Sequence, residues 1–96
     1  MYEIQSQIYE KTAQRLSDAM GDECVFSGSI EFTDEDVECR MLVTVMAYHR
    51  NADGADGGYK VVDDLVPIWW EFHTFIDGQE CINDFDFGIL KSFIIA

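Results

Sequence analysis

One proline, two histidines and six basic side chains are the scarce components of this 96-residue chain. With a lone proline and a single short glycine-rich stretch, the chain shows no domain linker. We expect a single domain over 1–96. Apolar runs are short, and none approaches the ~20 residues of a membrane helix. The start, Met1-Tyr2-Glu3-Ile4-Gln5, has neither the basic nor the apolar stretch of a secretory signal. Three cysteines are an odd number, which argues against a disulfide framework and for reduced thiols in a cytoplasmic setting.

Basic residues are outnumbered by nineteen acids, and the formal net charge is −13. The acid concentrates after residue 20, where sixteen acids face Arg40, Arg50, Lys60 and Lys91. Such a surface repels nucleic-acid phosphate and anionic lipid, so neither direct nucleic-acid binding nor membrane binding is expected. The plain reading of the charge is solubility. Forty-eight per cent hydrophobic residues, 14% of all residues being aromatic, suffice for a core without disulfide or metal.

Residues 3–20 read as an amphipathic helix, with Ile4, Ile8, Leu16 and Met20 on one stripe and Lys11 and Arg15 on the wet side. Gly21 ends it. Residues 23–32 alternate with period two: Cys24, Phe26, Gly28, Ile30 and Phe32 share one face, and Val25, Ser27, Ser29 and Glu31 the other. A polar turn, 33–36, leads to a second strand over 37–50. Its odd positions, Val37 to Ala47, match the core side; Leu42, Met46 and Tyr48 lie opposite. The register that sets Arg40 against Glu31 avoids a like-charge pair. A Cys24–Cys39 bridge is out of reach in that hairpin.

Asn51 to Gly58 reads as a long acidic, glycine-rich loop that can bind a cation weakly. Residues 59–76 are extended, but fully straight they would span roughly 60 Å, so a bend or break is expected at Asp63-Asp64 and Pro67, where proline favours an edge or bulge. The strong strand is 66–76, with Val66, Ile68, Trp70, Phe72 and Ile76 toward the core. Asp77-Gly78 is a tight turn, and Gln79–Ile82 has the length of a short fourth strand. Asn83 or Asp84 then caps a closing helix near 84–95, with Phe85, Ile89, Leu90, Phe93 and Ile94 as its buried stripe. The fold class is α+β: an N-terminal helix, an antiparallel meander of three to four strands and a C-terminal helix, both helices on one sheet face.

Chemistry-bearing groups are sparse. Cys24, Cys39, Cys81, His49 and His73 show no zinc spacing. The one local nucleophile set is Cys81 with His73 and Asp77, and Glu71 with His73 is an acid–base pair that a surface ion pair explains equally well. No phosphate loop or dinucleotide fingerprint is present. We therefore expect no catalytic, metal or cofactor site.

The outer sheet face is different. Leu42, Met46, Tyr48, Trp69 and Phe75 would form an apolar, aromatic surface where the helices do not cover it. The sequence thus points to a non-enzymatic module that self-associates, as in a homodimer, or binds a protein partner through these five residues. A second reading is an acidic DNA mimic, drawn from the acid-rich stretches 22–38 and 53–86. A small hydrolase-like enzyme ranks third.

Overall fold

The computed structural model describes residues 1–52 and 59–95; at 52, 59 and 60 it describes the backbone alone. The order is α1 (Ser6–Met20), β1 (Val25–Asp34), β2 (Val37–Ala52), β3 (Tyr59–Ile76), β4 (Gln79–Cys81) and α2 (Phe87–Ile94). The four strands form one antiparallel sheet in sequence order. This is the expected α+β layout. The expected loop at 51–58 is shorter, because Asn51 and Ala52 continue β2. Its remainder, 53–58, lies outside the described residues, and with it the weak cation site.

Period-two alternation decides the inner face. Ile30 and Phe32 from β1, Cys39, Met41, Val43 and Val45 from β2, and Leu65 and Phe72 from β3 are buried together. Onto them α1 presents Ile8, Leu16 and Met20, and α2 presents Leu90. Each fully buried aliphatic side chain in this layer is stabilised by roughly 2 kcal/mol relative to exposure. Phe85 stacks on Phe72 at 4.0 Å and on Tyr9 at 5.1 Å, joining the sheet to α1 just before α2 starts.

The turns follow local chemistry. Gly21 caps α1 at φ 55°, where a side chain would be strained, and its N–H donates to the Ser17 carbonyl. The β1–β2 register sets Glu31 opposite Arg40 as expected, and the two side chains pair at 3.0 Å. The ladder continues to Asp34 and Val37, so the polar turn shrinks to Glu35-Asp36, with Glu35 at φ 55°. Asp77 and Gly78 both have positive φ, and close the β3–β4 hairpin tightly.

Three expectations are corrected. First, 59–76 is one continuous strand rather than a strong strand after a weaker one, with bulges at the two places where a bend was expected. The register shifts between Thr44 and Val45, where Ile68 is the extra residue, and again between Tyr48 and His49, where Asp63 is extra. The long β2–β3 hairpin makes the molecule elongated, 49 × 23 × 18 Å. Second, the bulge reverses parity below Trp70. Val66 and Ile68 are exposed, and Leu65 takes the core position opposite Ala47. Third, the closing helix begins later. Asp86, not Asn83 or Asp84, is its N-cap, accepting from the Gly88 N–H at 2.7 Å. Ile89 and Phe93 of the expected stripe are only partly covered, at 46% and 38% exposed, and Phe87 is buried instead.

Lys11 keeps to the exposed side of α1 as expected. Its ammonium reaches the Asp34 carboxylate at 2.7 Å, which ties the middle of α1 to the β1–β2 turn. No helix among the described residues is long and apolar enough to cross a membrane.

Candidate interaction surface

Both helices pack on the inner face, so the opposite face of the sheet is lined by side chains alone. Its rungs follow the register. Thr33, Glu38 and Phe75 form one end row; then come Glu31, Arg40 and His73; Ser29, Leu42 and Glu71; Ser27, Thr44 and Trp69; Val25, Met46 and Val66; and finally Tyr48 and Asp64.

This face has two zones. The zone near the β1–β2 turn is charged. Arg40 pairs with Glu31 and lies 5.6 Å from the centre of the Phe75 ring. His73 Nδ1 is 2.9 Å from a Glu80 carboxylate oxygen, and its Nε2 is 3.8 Å from Glu71. The other zone is apolar. Val25, Tyr48, Val66 and Trp69 are exposed there, with Met46 half-buried among them. Trp69 is 50% exposed, whereas its neighbour Trp70 turns inward onto Phe85 and Phe87.

All five residues named from the sequence lie on this outer face. Met46, Tyr48 and Trp69 come together in the apolar zone, with Leu42 one rung above Thr44 and Trp69. Phe75 does not join them. It faces Glu38, ten positions along β2 from Tyr48, a separation of about 34 Å. Val25 joins the patch from the face of β1 that alternation assigned to it, and Val66 is the member that sequence reasoning missed. The signal for Val66 was Pro67, since a proline inside a strand marks an edge or bulge, and a bulge moves its neighbours to the other face.

Of the two expected sets, Glu71 and His73 stay together at 3.8 Å on the outer face, whereas the Cys81 set is split in parity. Cys81 pairs with Thr74 on the inner-face parity, whereas His73 points to the outer face. Cys39 is buried, and burial pushes its thiol up to about 11, where no thiolate forms near neutrality. Among the described residues no three His, Cys, Asp or Glu side chains gather as a metal site. Asp63 is held by Arg50 at 3.2 Å and Asp64 by Lys91 at 2.7 Å. Hydrogen bonds from Lys91 and from the Leu65 N–H keep the Asp64 carboxyl below its ordinary range.

No protein-family model matches this chain, and neither a curated protein nor a solved structure matches it.

Proposed function

We propose that the protein is a non-enzymatic interaction module that docks a protein partner on the apolar zone of its outer sheet face. One observation carries the reading: Trp69 stands half-exposed among Met46, Tyr48, Val25 and Val66, on the face opposite both helices. Tryptophan, tyrosine and methionine enrich the cores of interfaces: the two aromatics supply large desolvated area with few rotamers to freeze, and the thioether adapts to irregular gaps. The charged zone, with Arg40 and His73 among carboxylates, serves as a polar rim that sets orientation.

The DNA-mimic reading draws less support. Asp34, Glu31, Asp63 and Asp64 are each paired with a cation of the chain itself, which blunts a phosphate-like field.

Site-specific photocrosslinking tests the proposal. A benzophenone side chain at position 69 is expected to form a discrete adduct in cells that express the protein, and the same probe at Asp18 on α1 is not. Absence of an adduct at 69, or equal adducts at both positions, overturns it.

A further inference from the structure

The sheet has two edges, and the chain treats them in opposite ways. The β3 edge is blunted at several points between Leu65 and Ile76. β4 covers Thr74 to Ile76. The Asn83 amide donates to the Phe72 carbonyl at 3.0 Å. The Leu65 N–H is taken by the Asp64 carboxylate at 2.9 Å. Pro67 has no N–H, and the Ile68 bulge breaks the regular spacing. These are the devices by which a sheet edge is closed to other strands.

The β1 edge carries none of them. Its ten rungs with β2 are in unbroken register, without proline, lysine or bulge. The Ala47 N–H donates to the Cys24 carbonyl at 2.8 Å, so even-numbered residues of this strand turn their backbone groups toward β2. The odd residues Val25, Ser27, Ser29, Glu31 and Thr33 therefore aim theirs at the free edge. Among the described residues no backbone group or side chain satisfies them. All five residues are exposed.

We propose that β1 is the seam of a symmetric dimer, in which β1 of a second copy pairs antiparallel with it about a twofold axis at Ser29. Three features of the strand favour its own copy as occupant. With the axis at Ser29, Val25 meets the partner's Thr33 and Ser27 meets the partner's Glu31, so all five outward residues on each strand find partners. Residues 25–33 hold one charge in a chain of −13, Glu31, and the axis sets it against a serine rather than a second carboxylate. The two ends of β1 are also complementary. Ile30 and Phe32 are buried at one end, where Lys11 of α1 reaches Asp34; at the other, Phe26 is only half-buried and Gly28 is exposed. Antiparallel pairing lays the covered end of one copy beside the bare end of the other. The product is one eight-stranded sheet with all helices on one face and both apolar zones on the other. This proposal stands apart from the outer-face reading.

The test combines sedimentation velocity with amide exchange on the full chain. The wild type is expected to sediment as a dimer, and added salt should tighten it by screening two copies of charge −13. Amides of Ser27, Ser29 and Glu31 should exchange about tenfold or more slowly at high than at low protein concentration, while exposed helix amides do not change. Ser29→Pro removes an edge-facing N–H at the axis, and Ser29→Lys sets two like charges together. Each should weaken the dimer by about tenfold or more with helix and sheet content kept. Trp69→Asp should leave the dimer intact. A wild type monomeric up to millimolar concentration, β1 amides indifferent to concentration, or a dimer lost with Trp69→Asp but kept with both Ser29 variants overturns the proposal.

Discussion

Trp69 and Trp70 are adjacent in the chain and face opposite sides of the sheet. Trp69 stands half-exposed opposite Thr44, and Trp70 packs its ring edge-on to Phe85 at 5.4 Å. The two indoles therefore separate surface from core within a single dipeptide. Trp70→Ala should cost about 3 kcal/mol through lost burial, and Trp69→Ala less than about 1 kcal/mol. Urea titration of the two variants reads the difference, and aqueous quenchers should reach Trp69 far more readily than Trp70.

The Lys11–Asp34 pair anchors α1 to the sheet. Asp34 is 7% exposed, so its carboxylate depends on that ammonium for solvation. Lys11→Ala strands it and should destabilise the fold by about 1–3 kcal/mol. Arg15→Ala, on the exposed side of the same helix, should stay within about 0.5 kcal/mol. Thermal unfolding of the pair of variants at one pH makes the comparison.

Asn83 closes three bonds at the end of the sheet. Its amide donates to the Phe72 carbonyl at 3.0 Å and to Thr74 Oγ1 at 3.2 Å, and its oxygen accepts from the Phe85 N–H at 3.0 Å. Asn83→Ala should cost about 2 kcal/mol. Asn83→Asp keeps the acceptor and loses both donors, so it should recover only part of that loss. Chemical denaturation distinguishes the two.

The cysteines should differ in reactivity. Burial raises the Cys39 thiol to about 11, whereas Cys24 is exposed. A disulfide reagent at pH 8 should label Cys24 quickly and Cys39 only on unfolding. The same shift bears on stability. The folded state holds the Cys39 proton more tightly than the unfolded chain, whose thiol titrates near 9. Its contribution is complete below pH 9 and fades as the pH rises toward 11. Burial likewise raises Tyr2 and Tyr9, and adds to the alkaline loss. Cys39→Ala should flatten that part of the pH–stability curve, as followed by thermal melts from pH 8 to 11.

Much of this architecture is local in origin. The strict alternation of Phe26, Ile30 and Phe32 against Val25, Ser27 and Glu31 assigns both faces of β1, because covalent geometry turns successive side chains to opposite sides. The same rule assigns β2, and the Glu31–Arg40 preference sets the register between them. Asp77-Gly78 and Gly21 supply the positive φ that their turns need. Hence the α+β order, the two sheet faces and the outward setting of Leu42, Met46, Tyr48, Trp69 and Phe75 were legible from the residues alone.

Tertiary pairing decided the rest. Pro67 marks a place where β3 can depart from a regular ladder, but which residue is extruded depends on Val45 and Ala47, some twenty positions earlier, claiming Pro67 and Leu65 as partners. That choice sent Val66 outward to join Trp69 and left Phe75 about 34 Å from Tyr48. Burial of Asp34 beneath Lys11, and the capping of one sheet edge by Asn83 and Asp64 while β1 stays open, arise in the same way. Periodicity specifies which way a side chain points along its own strand; only the folded chain brings distant backbone groups close enough to satisfy them or leave them bare.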